Sequence, residues 1–321
     1  MKDTQYAFAV AQVRQYENTL LNKSQIMSLI NTKSLDEALA FLASKGMDTA
    51  GRNYNEFLDK EAADNYEYVK GLVQGEDFLK VFTVKNDFQN LKAAVKALAS
   101  NSDPAPYYVY PSDVDTKNLS ENITTGNFDA LPKYMRECAK AAYESTVQSG
   151  DGQLTDIIID RATLETMADF AADTDSRLLK DYVLLTVNMA NVKIAYRGAA
   201  AGKRERFFEQ ALCDSPDLPK AQLCLAAAKG TDDVTAFIAD SPVSEFVAPL
   251  KNGVSELEKY CDEKTAQLMR ESALTAFGAD PVIAFYWMTD AQIKNIRIIL
   301  TCKEMGVDNS KITERVRETY V

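Results

Sequence analysis

The side chains most able to do chemistry in this chain are three close acidic pairs, one glycine-flanked lysine and five cysteines. The pairs are Asp113/Asp115, Asp173/Asp175 and Asp232/Asp233. Carboxylates this close could hold Mg²⁺, but a hard cation takes about six oxygen ligands, and no further carboxylates stand nearby in sequence to supply them. Each pair also falls at a break between helical segments, where Asp serves as a cap or turn residue. The run "TDDVTA" (231–236) lacks the last Asp of the D-D-x-x-D pattern of metal-dependent helical enzymes of isoprenoid chemistry.

"GAAAGKR" (198–204) has three residues between its glycines and Arg204 after Lys203, whereas a phosphate-binding loop needs four residues and then a hydroxyl. The preceding stretch has helical and not strand periodicity, so a helix terminus of small residues is expected. The basic run "GKRER" (202–206) contains Glu205 and reads as a solvated helix end.

Histidine is absent, which removes Ser/His/Asp and Cys/His nucleophile systems, H-E-x-x-H zinc sites and Glu-x-x-His di-iron sites together. No cofactor or metal is expected. Cys138, Cys213, Cys224, Cys261 and Cys302 are odd in number, widely spaced and without a C-x-x-C pair. They read as buried small hydrophobes in a reducing compartment. A net charge of −11, from 36 basic and 47 acidic residues, opposes general binding to a phosphate backbone, so no nucleic-acid partner is expected. The N-terminal segment meets Arg14 before an apolar run reaches the ~18 residues of a spanning helix.

The elements that must position these residues are helices. The 321 residues are 46% hydrophobic, 26% charged and broken by only 13 Gly and 9 Pro, while strand-length runs of Val, Ile and Thr are scarce. The composition predicts a mainly α chain of more than one compact unit. "SLDE" (34–37) and "SELE" (255–258) have the form of capping boxes. "NSDPAPYYVYPSD" (101–113) reads as an extended connection and "ADSPVSEFVAP" (239–249) as its matching break later on.

One line recurs three times: "NDFQNLKAAVKA" (86–97), "VNMANVKIAYRG" (187–198) and "AQIKNIRIILTC" (291–302). Aligned on Asn90, Asn191 and Asn295, the copies lie 101 and 104 residues apart, the size of a small domain. Val84, Phe88, Leu91, Val95 and Leu98 form an apolar helical stripe. Leu185, Met189, Val192, Tyr196 and Ala199 answer it, and so do Ile293, Ile296 and Leu300, with Thr289 and Lys303 at the frayed ends. Each Asn precedes an apolar position and is followed two residues on by a base: Lys92, Lys193 and Arg297. Lys96 and Arg197 recur a turn later, where the third copy has Thr301, and an aromatic stands upstream at Phe82, Tyr182 and Tyr286/Trp287. The expected role of each Asn is to pin a partly buried backbone group of a neighbouring helix or loop; direct contact with a partner protein is the alternative.

The opening "YAFAVAQVRQYENTLLNKSQIMSLINTKSLDEALAFL", the threefold Asn line and the close "KEMGVDNSKITERVRETYV" resemble the C subunit of bacterial and archaeal V-type (A-type) ATPases, the family of the eukaryotic d subunit. The resemblance runs end to end but rests on diffuse helical patterns and on no catalytic signature. It implies an all-α funnel of three similar domains around a pseudo-threefold axis, here divided 1–105, 106–205 and 206–321. It implies a non-catalytic component on the cytoplasmic face of the membrane, joining the rotor shaft (the D and F subunits) to the proteolipid ring. Contact with the membrane stator is left open. Arg14, Lys96 and Arg197 are candidate partner contacts. Two other readings remain: a helical scaffold of another complex, whose solenoid repeats would usually be ~20–50 residues, and a carboxylate/metal-dependent helical enzyme.

Overall fold

Where Asn22, Ser34, Asn53, Asp115 and Ser176 precede a helix, their side chains accept one of its free backbone N–H groups, and the helices run where apolar residues recur at three and four. In the computed structural model, residues 6–49, 53–73, 75, 77–150 and 152–317 are described. Among them no strand occurs. The helices are α1 (Ala7–Glu17), α2 (Lys23–Ile30), α3 (Leu35–Ser44), α4 (Tyr54–Leu72), α5 (Lys80–Ser100), α6 (Thr116–Thr125), α7 (Arg136–Glu144) and α8 (Gly152–Ala172). They continue with α9 (Arg177–Ala200), α10 (Glu205–Ala211), α11 (Lys220–Lys229), α12 (Thr231–Ala239), α13 (Val247–Lys251), α14 (Val254–Ala273), α15 (Asp280–Glu304) and α16 (Asn309–Arg315). The class is all-α. Among the described residues no helix is long and apolar enough to cross a membrane.

Compactness divides the chain elsewhere than at 105/106 and 205/206. One unit joins Met1–Glu76 to Asp262–Val321, and the other runs from Asp77 to Cys261. The first unit is therefore built from the two ends of the chain without a covalent connection inside it. Its core interleaves Leu21, Ile26, Leu29, Leu42, Phe57 and Leu58 with Ile293, Ile296, Ile299, Leu300 and Ile312. Burying such side chains contributes ~1.5–3 kcal/mol each, which is what holds α15 and α16 against α2, α3 and α4. In the second unit, α5 packs along α8, and α9 packs against α11 and α12. Val192, Phe208, Leu223, Val234, Ile238, Phe246 and Leu257 belong to one buried core there.

Ser34 caps α3 by accepting the Glu37 N–H at 3.2 Å, while the Glu37 carboxylate accepts the N–H of Lys33 and not that of Ser34. "SELE" is not a capping box. Gly253, at φ +116°, supplies the carbonyl that opens α14, so Ser255 lies inside the first turn, and Glu258 is drawn to a base described below. Asn22 and Gln25, which lack the S/T-x-x-E form, make the reciprocal box at the start of α2, with both bonds 2.9 Å.

The 101–113 connection is non-helical apart from one 3₁₀ turn at Ala105–Tyr107. Residues 239–249 fold into short helical turns instead. The stretch that matches 101–113 is 212–219, for the reason that follows.

Candidate functional site

Asn90, Asn191 and Asn295 are almost completely buried, and each makes the same two-bond ring with the backbone of a residue 19 or 22 positions downstream. Asn90 Nδ2 donates to the Val109 carbonyl at 3.0 Å, and its Oδ1 accepts the Val109 N–H at 2.7 Å. Asn191 holds Cys213 at 2.9 and 3.0 Å, and Asn295 holds Arg317 at 3.1 and 3.0 Å. A planar amide presents one donor and one acceptor side by side, which is the pair that an extended peptide unit requires. Three non-helical segments are thereby satisfied at points that no helix or strand serves. The expected pinning of a backbone group is thus the observed geometry.

One turn earlier stands a second pin that the sequence reading missed. Asp87 accepts from Ser112 Oγ (2.6 Å), the Asp113 N–H (2.8 Å) and the Tyr134 hydroxyl (2.7 Å). Asn188, three residues before Asn191, accepts from Ser215 Oγ and donates to Asp217 at 2.7 Å. Gln292, three before Asn295, accepts the Leu21 N–H at 2.6 Å. The signal was present in the three lines as a polar residue at that place each time. Burial pushes the Asp87 carboxyl above its ordinary range, against the lowering by its three donors.

The bases two residues after each Asn reach a second long helix. Lys92 pairs with Asp160 and, at 3.7 Å, with Asp156 on α8; Lys193 pairs with Glu258 on α14 at 3.1 Å. Arg297 donates to Asn55 at 3.0 Å and to Asp59 at 2.7 Å on α4. Asn55, Asp156 and Glu258 are 101 and 102 residues apart, so the partner helices carry the period too. Asp59, Asp160 and Asp262 follow it one turn on, although Asp262 pairs with Arg317 at 2.7 Å.

Lys96, half exposed, pairs with Asp156 at 2.8 Å, and Arg197 lies 3.9 Å from Glu258. At the corresponding place Thr301 meets the Tyr54 hydroxyl at 3.4 Å. Arg14 lies outside this frame: on α1, it bonds Glu17 at 2.9 Å and the carbonyls of Ala273 and Thr275 at the end of α14 and just beyond it. Upstream, the rings of Phe82 and Tyr182 are 5.4 Å apart, and Lys85 donates to the Tyr182 hydroxyl at 2.9 Å.

The three Asn helices also stop at the same phase, eleven residues after the Asn. Asn101, Gly202 and Gly306 take left-handed φ of 50°, 65° and 65°. The next N–H in each case returns to a carbonyl five residues back: Ser102 to Ala97, Lys203 to Gly198 and Val307 to Cys302. "GAAAGKR" is therefore a helix C-cap, in which Gly198 makes room for the Phe208 ring.

Asp115 caps α6, Asp113 accepts from Thr83, and Asp232 and Asp233 lie in the first turn of α12. All five cysteines are buried thiols; burial pushes Cys138 and Cys213 up to about 12.

The fold and these joints define an all-helical protein whose distinctive polar side chains are engaged in holding its own helices and connections. The family model for the ATP synthase (C/AC39) subunit matches residues 9–315, and the chain belongs to that family of accessory, non-catalytic subunits of rotary V- and A-type ATPases. It is 22% identical to the C subunit of the V-type sodium ATPase of Enterococcus hirae, over 96% of this chain and 97% of that protein. It is 24% identical to the C subunit of the A-type ATP synthase of Methanobrevibacter smithii, over 96% of this chain and 87% of that one, and 22% identical to its counterpart in Methanothermobacter thermautotrophicus with the same coverages.

Proposed function

We propose that this chain is the socket of the central stalk of a V-type ATPase or ATP synthase, carrying torque between the rotor shaft (the D and F subunits) and the membrane proteolipid ring during rotary proton or sodium transport. The observation that carries this reading is the family match along residues 9–315. The protein would sit on the cytoplasmic face of the membrane as a peripheral member of the complex.

Its three repeats of about 100 residues would stand around a pseudo-threefold axis as the walls of a funnel. The three Asn rings, the three C-caps and the period of Asn55, Asp156 and Glu258 support that count. They also favour a phase in which each repeat opens at its Asn helix and ends with the long helix its base reaches: α5 to α8, α9 to α14, and α15 with α4. The last repeat would then be completed by the N-terminal segment. A coupler must resist shear between helices, and buried bidentate amides with cross-helix ion pairs oppose such sliding.

The test is co-purification of the tagged chain with the shaft proteins and with detergent-solubilised proteolipid ring. Capture of both is expected, and capture of neither overturns the reading.

A further inference from the structure

The first Asn ring presents something that the second conceals. Cys213, held by Asn191, is 2% exposed, whereas Val109, held by Asn90, is 38% exposed between Tyr107 and Tyr110, at 65% and 53%. This aromatic stretch is fixed from several sides. Asn90 holds Val109 twice, Asn86 donates to the Pro111 carbonyl at 2.8 Å, Asp87 receives Ser112, and the Tyr110 hydroxyl bonds that of Thr116. Segment 101–116 contains Asp103, Asp113 and Asp115 and no Lys or Arg, a formal charge of −3. Asp103 and Asp115 bond local N–H groups, those of Ala105, Lys117 and Asn118.

We infer that residues 103–115 form a preorganised docking knob for a protein surface bearing arginine or lysine among aliphatic side chains, which in the socket reading, on which this inference rests, is the rotor shaft. Exposed tyrosines on an immobilised backbone supply contact area with little ordering cost and can stack on guanidinium groups. The acidic flank complements a basic partner and opposes both an anionic lipid surface and a phosphate backbone. A knob suited to the shaft and not to the membrane side follows from that charge.

The experiment measures binding of the full chain to the purified D–F shaft subcomplex of the same organism and, separately, to the detergent-solubilised ring. Wild type is compared with Tyr107→Ser/Tyr110→Ser, with Asp103→Lys, and with Leu225→Ser as an exposed apolar control on α11. The double variant is expected to lose about tenfold or more in shaft affinity, mainly through faster dissociation, with ring binding and the control unchanged. Asp103→Lys should slow association and flatten its salt dependence. Shaft binding by the double variant within about twofold of wild type overturns the knob while leaving the socket intact. Failure of wild type to bind shaft or ring overturns both.

Discussion

Asn191 and Cys213 are joined twice: the Asn191 amide donates to the Cys213 carbonyl at 2.9 Å while accepting the Cys213 N–H at 3.0 Å. Both residues are buried, so removing the amide leaves a donor and an acceptor without solvent. Each such orphan costs about 1–3 kcal/mol, and Asn191→Ala should destabilise by roughly 2–5 kcal/mol. Asn191→Asp should be about as harmful at neutral pH, because a carboxylate would face the Cys213 carbonyl, and should recover partly in acid, where a protonated carboxyl can donate. Urea unfolding at two pH values checks both. A loss below about 0.5 kcal/mol would show that the ring does not hold the joint.

Asp87 offers a pH test of the second pin. Burial raises its carboxyl above the unfolded value of about 3.9, so between that value and the folded one the native chain binds more protons than the unfolded chain. Stability from this group is then present in acid and is lost as the pH rises through the folded value. Asp87→Asn, which places on α5 the residue that Asn188 provides on α9, should remove that slope. Unfolding midpoints of wild type and variant should diverge as the pH rises above the unfolded value and run parallel again once it has passed the folded one. Parallel curves would mean that the hydrogen bonds from Ser112, Asp113 and Tyr134 compensate burial completely.

Helix content, the Asn line and its pinning role were legible because they depend on local periodicity and on one residue type repeated at a fixed interval. Asp87, Asn188 and Gln292 were not recognised as one position because three different side chains do the same work. The carboxylates of α4, α8 and α14 were missed because their partners lie far away in sequence: Lys92 to Asp160 spans 68 residues and Arg297 to Asp59 spans 238. The joining of the chain's first and last segments into one unit was equally hidden, since only long-range burial of Leu29, Phe57, Ile296 and Ile312 makes it. "SELE" misled because a glycine with positive φ opened the helix two residues before Ser255.

The cross-helix ion pairs should matter less to stability than the buried amides. Asp160 is largely exposed, and exposed pairs contribute ~0.2–1 kcal/mol. A double-mutant cycle on Lys92→Ala and Asp160→Ala should give a coupling within that range that shrinks at high salt. Coupling above about 2 kcal/mol, or coupling indifferent to salt, would make this pair a principal restraint on the α5–α8 contact.

Gly198 separates the helix-terminus reading of "GAAAGKR" from a ligand-binding one through stability alone. It lies within α9, where alanine would ordinarily gain about 1 kcal/mol of helix propensity. A Cβ there, however, would stand 2.5 Å from the Phe208 ring and 3.0 Å from that of Phe207. Phe208 is buried among Val192, Leu212 and Leu223, so its ring has little room to retreat. Overpacking of this kind costs about 1–3 kcal/mol, and the clash outweighs the propensity gain. Gly198→Ala should therefore lower the thermal midpoint. Gly202→Ala, with open space around it but φ of +65°, should cost about 1 kcal/mol through backbone strain alone. A stabilised Gly198→Ala variant would mean that α9 and α10 do not close on this glycine, and the packing of the second unit around Phe208 would have to be redrawn.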